Sequence, residues 1–162
     1  MDIQNIETQH LSEILVLNEI SVAVLSPLNR EKLLHLISQS QLAKVVLIEN
    51  KVVAFLLAFG AKADYQSINY QWFNARYEAF LYIDRIVVSQ AYRGKGIATE
   101  MYNYLVAYAV SASLPRLVAE IDIQPPNNAS LKFHQRFEFV EVEQLIHSEN
   151  KIVSLQSRSI GG

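Results

Sequence analysis

The sequence predicts a mixed α/β fold, a sheet covered by helices, on three observations. Strand-like runs alternate with runs of helical period along the whole chain. Two pairs of strand-like runs are joined by short polar turns, Glu49-Asn50 and Ser148-Glu149-Asn150. A basic glycine turn separates an apolar run from the longest helical pattern. With 162 residues the chain is long enough to bury a sizeable core, and one domain over 1–162 is the simplest organisation. No repeat, low-complexity tract or Pro/Gly/Ser-rich linker divides it.

Residues 2–6 form a short first strand. Over 9–24, Leu11, Ile14, Leu15, Asn18 and Val22 recur at helical spacing and define one inward stripe. Ser26-Pro27 ends that helix. Asn29 then N-caps a helix over 30–38, with Leu33, Leu34 and Ile37 inward. Strands over 43–48 and 51–59 pair as a hairpin. Residues 60–77 read as loop with a short ordered piece, and 79–88 as a third strong strand. A long helix over 96–113 turns Ala98, Met101, Leu105 and Tyr108 to one face and stops before Pro115. A strand over 117–123 and a helix over 127–137 come next, and strands over 139–147 and 151–156 close the chain as a hairpin.

Composition excludes several chemistries. A net charge of −2 gives no electrostatic case for nucleic acid or a membrane surface. The chain has no cysteine, which removes disulfides, thiolate catalysis and zinc-thiolate sites together. The four histidines, His10, His35, His134 and His147, have no metal-ligand spacing, so no metal is expected. Met1-Asp2 opens an amphipathic pattern rather than a signal peptide, and no apolar run reaches the roughly 20 residues that span a bilayer. A soluble, cytoplasmic protein is the expectation.

The glycine turn carries the chemistry. The first N–H groups of a helix lack internal partners and bear partial positive charge. Successive free N–H groups in a turn make a concave anion site. Gly94 and Gly96 would let a phosphate approach the backbone, with Arg93 and Lys95 adding charge. The competing reading is an exposed tight turn that happens to be basic. A nucleoside-triphosphate loop is excluded because the full Gly-x-x-x-x-Gly-Lys-Ser/Thr spacing is missing.

Arg93-Gly94-Lys95-Gly96-Ile97-Ala98 resembles the acyl-CoA pyrophosphate motif of the GNAT superfamily of N-acetyltransferases, Gln/Arg-x-x-Gly-x-Gly/Ala. Like that motif, it comes after an apolar strand, Ile86-Val87-Val88. The run from Asn127 through Ser130, Phe133 and His134 to Phe139 is similar to the family's second signature, Asn-x-x-Ala/Ser-x-x-Phe/Leu-Tyr-x-x-x-Gly-Phe. The element order matches along nearly the whole chain. Two departures stand out. His134 replaces the usual tyrosine, and Glu138 replaces a glycine at a helix exit that favours left-handed backbone. A looser resemblance is to a bacterial branch of GNAT acetyltransferases without an assigned substrate. It rests on Ser26-Pro27-Leu28, Asp64-Tyr65, Asn69-Tyr70, Trp72-Phe73, Asp84 to Val88 and Pro125-Pro126-Asn127.

The resemblance implies a mixed, mostly antiparallel sheet with a central, splayed parallel strand pair, 79–88 and 117–123, and helices on both faces. It implies acetyl-CoA as co-substrate and a primary amine of a small molecule or peptide as acceptor. Main-chain groups of Ile86 to Val88 would hold the pantetheine arm, and Arg93 to Ala98 the pyrophosphate. Asn127, with Ser130 and Phe133 in its signature, would border the arm. A homodimer through the terminal strands, 139–156, is implied by the same analogy.

The reaction would be attack of an amine on the acetyl thioester. A lysine-like amine is neutral in only about one molecule in a few thousand at pH 7, so a base is needed. Asp84 and Glu120, and behind them Tyr82, are the candidates on the two central strands. The competing readings are a structural ion pair of Asp84 with Arg136 or Arg85, and a salt bridge for Glu120. Arg85 is expected to be a poor partner because neighbours in a strand point opposite ways. His134, in the tyrosine's place, is the candidate acid for the departing thiolate through Nε2–H; its competing reading is a surface histidine. Tyr70, Trp72, Phe73 and Tyr82 are expected to wall the acceptor pocket, with Asn18 from the first helix; the competing reading is a loop packing its aromatics onto the sheet. The alternatives to catalysis are a non-catalytic acyl-CoA-binding or regulatory module and an interaction protein that has lost the ligand.

Overall fold

The computed structural model describes residues 1–21 and 27–161. In chain order the elements are β1 (Asp2–Asn5), α1 (Leu11–Ile20), α2 (Arg30–Gln39), β2 (Leu42–Ile48), β3 (Lys51–Phe59), α3 (Ile68–Arg76), β4 (Leu81–Val88), α4 (Ile97–Ser111), β5 (Arg116–Gln124), α5 (Asn128–Arg136), β6 (Val140–Ser148) and β7 (Lys151–Ser159). The seven strands run in the order β1-β2-β3-β4-β5-β7-β6, a mostly antiparallel sheet with β4 and β5 as its parallel pair. No described helix is long and apolar enough to cross a membrane. The described residues fall into two compact units: Met1–Phe59 with Ile83–Met101, and Gly60–Tyr82 with Tyr102–Gly162.

In the first unit, β3 carries an unbroken apolar run, and every residue from Val52 to Phe59 is buried. A strand covered on both faces reads as continuous rather than alternating hydrophobicity. Each fully buried Leu or Phe there contributes roughly 1.5–3 kcal/mol relative to exposure. Glu49 and Asn50 both take positive φ, 51° and 64°, which is the two-residue turn that matches strand twist in a hairpin. Asn29 caps α2 as its sequence position predicts, its Oδ1 accepting from Lys32 N–H at 2.8 Å. The inward face of α2 is Leu33 and Leu36; Leu34 is exposed, so the predicted stripe is rotated. Helix α1 is shorter than the predicted 9–24, and Val22, Val24 and Ser26 lie outside the described residues.

In the second unit, β5 pairs antiparallel with β7, and β7 with β6. Its parallel contact with β4 is two residues long, Leu81↔Leu117 and Tyr82↔Val118. The segment predicted as loop with a short ordered piece, 60–77, contains a nine-residue helix, α3. Ser67 caps it by accepting from Tyr70 N–H, and Tyr70 and Phe73, three residues apart, are both buried. Burial of aromatics, not a clean apolar period, holds this helix. Glu138 leaves α5 at φ 67°, the left-handed conformation that the missing glycine predicts. Phe139 N–H returns to the His134 carbonyl at 3.0 Å to close the end of the helix.

Candidate active site

The first unit holds the glycine turn. Gly94 and Gly96 both have positive φ, 75° and 81°, a conformation that favours glycine. A Cβ built on either meets nothing within 4 Å, so the space in front of the turn is open. Arg93 to Gly96 are exposed. The first bond of α4 runs from Glu100 N–H to the Gly96 carbonyl, 3.0 Å. The N–H groups of Ile97, Ala98 and Thr99 therefore have no intrahelical acceptor. Lys95 Nζ lies 5.2 Å from the Tyr92 ring centroid, beside the turn. An open turn flanked by Arg93 and Lys95, with free N–H groups at the start of a fifteen-residue helix, is a fit for a pyrophosphate. On β4, Ile86 and Val88 are half-buried and Val87 is buried.

The same unit places Asp84 and Asn18 differently from expectation. The Asp84 side chain is 4% exposed and accepts from Arg85 Nε at 2.7 Å. Strand alternation sets where Cβ atoms point, but a guanidinium lies several bonds further out and reaches its sequence neighbour. The paired reading of Asp84 therefore holds, with Arg85 rather than Arg136. Arg85 Nη1 also donates to Asn18 Oδ1 at 3.0 Å, and Asn18 is 1% exposed. Asn18 is a core partner of a buried cation, not part of an open acceptor wall.

The second unit holds Glu120. It is half-buried at mid-strand on β5, and both its carboxylate oxygens lie 2.9 Å from the Tyr82 hydroxyl. One O–H proton serves both oxygens in a three-centre bond. Asp122, two residues on and on the same strand face, instead accepts from Lys151 Nζ at 3.0 Å. Tyr82 is fully buried, with Tyr70 and Phe73 packed on its ring at 5.4 and 5.9 Å. Tyr82 is thus placed to orient Glu120 rather than to meet an acceptor. Tyr70 and Phe73 are likewise core, which corrects their reading as pocket wall. The Tyr70 hydroxyl accepts from Ala63 N–H at 2.9 Å and donates to the Gly60 carbonyl, pinning the segment before α3. Burial holds that hydroxyl above its ordinary pKa, against the Ala63 bond, which lowers it. Trp72 is half-exposed beneath the Arg76 guanidinium, 4.1 Å away.

Helix α5 carries the second signature. Asn127 is its N-cap, accepting from Ser130 N–H at 3.2 Å, so its side chain serves the helix first. Phe133 packs edge-on against Tyr102 at 4.8 Å. His134 is 6% exposed, not a surface residue. Its Nδ1 lies 2.8 Å from the Ser130 carbonyl, and its Nε2 2.6 Å from the Tyr102 hydroxyl. A carbonyl only accepts, so Nδ1 carries the proton and the neutral ring's Nε2 accepts from Tyr102. Burial depresses the His134 pKa, partly offset by the Ser130 bond. In this tautomer Nε2 accepts a hydrogen bond and carries no proton of its own. Burial also raises the Tyr102 pKa, keeping its hydroxyl protonated. Sequence reasoning misses Tyr102 and sets Arg85 aside as a poor partner for Asp84. For Tyr102 a signal existed: it lies four residues from Ala98 and three from Leu105, on the inward stripe of α4.

No group of three or more His, Cys, Asp or Glu among the described residues is placed to hold a metal ion. The model of the Acetyltransferase (GNAT) family matches residues 16–139, more than half of the chain. Solved structures of the same fold include Ard1 from Thermoplasma volcanium, 13% identical with a TM-score of 0.78, covering 99% of this chain and 98% of that one. They include Arabidopsis thaliana Naa50 in complex with the bisubstrate analogue CoA-Ac-MVNAL, 17% identical with a TM-score of 0.73, covering 98% of each chain. Ribosomal-protein-alanine N-acetyltransferase from Brucella melitensis is 15% identical with a TM-score of 0.75, covering 99% of this chain and all (100%) of that one. No curated protein matches the sequence. The chain belongs to the GNAT acetyltransferase family, whose members use acetyl-CoA as acyl donor.

Proposed function

We propose that the protein moves an acetyl group from acetyl-CoA directly to a primary amine of a small molecule or peptide, with Glu120 as the base. The observation that carries this reading is the Glu120 carboxylate, half-buried two residues beyond the β4–β5 pairing and fixed by Tyr82. A carboxylate inside a strand is costly unless it is paired or faces a wet cleft, and Glu120 keeps part of its surface in water. Acetyl-CoA, when bound, supplies a thioester carbonyl open to nucleophilic attack. Glu120 takes one proton from the attacking nitrogen, directly or through a water, as the C–N bond forms. The C–S bond breaks with its electron pair going to sulfur. Without a cysteine there is no thiol for a covalent acyl-enzyme, so direct transfer is the route. Arg93, Lys95 and the N–H groups of 94–98 would hold the pyrophosphate, and main-chain groups of Ile86 and Val88 the pantetheine arm.

The peptide half of the proposal draws on Naa50, whose structure contains an acetylated peptide joined to CoA. The test is CoA release from acetyl-CoA against a panel of small primary amines and N-terminal peptides. Glu120→Gln should lower kcat/KM for the best acceptor by roughly 10²–10⁴, while the thermal shift produced by acetyl-CoA is retained. If acetyl-CoA binds but no amine is acetylated, the non-catalytic acyl-CoA-binding module takes the lead.

A further inference from the structure

We infer that Tyr102 is a positioning residue that fixes His134 as the Nδ1–H tautomer and withholds its Nε2 from proton transfer. The inference rests first on donors and acceptors. The Ser130 carbonyl, 2.8 Å from Nδ1, has no proton to give, so the ring must donate there. Nε2 is then a lone pair, and the Tyr102 hydroxyl at 2.6 Å is its donor. Both residues are nearly excluded from water, 5% and 6% exposed. The neighbours are specific. Tyr102 comes from α4, Ser130 and Phe133 from the helix of His134 itself, and Phe139 from the segment entering β6. The Phe139 ring centroid is 5.0 Å away and Phe133 5.7 Å. The Ser130 hydroxyl stands 3.3 Å from Nδ1. None of these facing groups carries a charge at neutral pH. Arg136, also on α5, lies over the Phe133 ring at 6.0 Å.

Protonating His134 would require the pair to reverse. Nε2–H would donate to the tyrosine oxygen, and the displaced hydroxyl proton would need a new acceptor. The rings that surround Tyr102, Phe133, Phe137 and Phe139, offer no lone pair. A buried donor left without an acceptor is destabilising. The pair therefore holds α5 against the second-unit part of α4 and keeps the imidazole neutral. The chemical consequence rests on the acetyl-transfer reading: the thiolate leaves without a proton from this histidine. The tautomer itself does not rest on it.

The experiment is a two-bond ¹H–¹⁵N correlation of histidine-labelled protein from pH 5 to 8. His134→Phe identifies the signal among the four histidines. The expected result is a His134 signal with Nδ1 protonated and Nε2 bare, titrating below the ordinary histidine value. In Tyr102→Phe the neutral form loses its donor, and the titration should move up toward the ordinary histidine value. An Nε2–H tautomer in the wild type overturns the inference, as does a titration that Tyr102→Phe leaves in place. If Tyr102→Phe does not fold, the wild-type tautomer alone decides. A CoA-release pH profile of unchanged shape in His134→Phe is the functional counterpart. Failure of every amine to react would count against the acetyl-transfer reading and leave the tautomer measurement standing.

Discussion

Asp84 in the first unit and Glu120 and His134 in the second are held in opposite ways. In the first, Asp84 is closed in by a cation, Arg85, which is anchored in turn by Asn18. In the second, Glu120 and His134 each face a neutral tyrosine hydroxyl, Tyr82 and Tyr102. An ion pair fixes its members in the charged state, because losing either charge strands the other in low dielectric. A hydroxyl commits its partner less, and the remaining surroundings then decide the outcome. Glu120 keeps water access, so a substrate proton can reach it. His134 loses water access and both ring nitrogens are engaged. Asp84 is a carboxylate held by a buried cation, and Glu120 is the one that the proposed reaction uses as base.

The largest test of this contrast is Arg85→Met. It removes the cation and leaves the Asp84 carboxylate buried, so stability should fall by about 3–5 kcal/mol. Denaturant unfolding of Arg85→Met and of Arg85→Met/Asp84→Leu would measure it. The double variant should recover much of the loss. A single variant as stable as wild type would mean that Asp84 is not held by this pair. Glu120→Gln, by contrast, should leave the unfolding midpoint nearly unchanged, since the Tyr82 hydroxyl it faces is neutral and a glutamine oxygen can still accept from it.

The next test concerns the role proposed for the first unit's glycine turn, binding acetyl-CoA by main chain rather than by side chain. Gly96→Val places a β-branched residue at φ 81° and puts atoms into the open space before the turn. Backbone strain should cost roughly 1–2 kcal/mol. Acetyl-CoA at about a hundred times its Kd should stabilise wild type by roughly 2.7 kcal/mol. That gain should vanish in the variant. A Gly96→Val protein still shifted in full by acetyl-CoA would remove the turn from the binding site.

How far the sequence shows this division depends on how local each feature is. The glycine turn is legible because glycine, positive charge and a following helix lie within a few consecutive residues. Glu120 is legible because a carboxylate inside Leu117 to Ile123 breaks an apolar strand. The β2–β3 hairpin is legible because its turn residues are adjacent. Arg85 is not, because its partner Asn18 lies 67 residues away and strand alternation argues against Asp84. Tyr102 is hidden because an inward tyrosine on a helix looks like core until its hydroxyl has a named acceptor. Helix α3 is hidden because its aromatics serve the core without forming an amphipathic stripe. For the same reason Tyr70 and Phe73 look like a ligand wall in the sequence.

The His134 side of the comparison has a pH signature. Its folded pKa is lowered, so the unfolded chain takes up a proton first as pH falls. The stability it contributes is complete above the unfolded value of about 6.5. It is lost as pH drops from there toward the folded pKa. Relative to His134→Gln, wild type should lose up to about 1.4 kcal/mol per pH unit within that window. Thermal or urea unfolding between pH 5 and 8 checks the slope. Parallel profiles for the two proteins would show that His134 titrates alike in both states.

The smallest effect tests whether the second unit tolerates strain near its neutral pair. Glu138 occupies a left-handed position directly after α5, four residues from His134. Its carboxylate meets Arg158 at 3.1 Å, but the glutamate side chain is 77% exposed, so water screens that pair. Glycine adopts this backbone without the Cβ penalty, and Glu138→Gly should stabilise the protein by about 1 kcal/mol. The gain should leave the His134 tautomer unchanged, because the strained residue touches the exit of the helix and not the ring. A loss of stability would instead mean that the Arg158 contact outweighs the relief of strain. That would make the departure from glycine a further charge-fixed joint in its unit, alongside Asp122–Lys151.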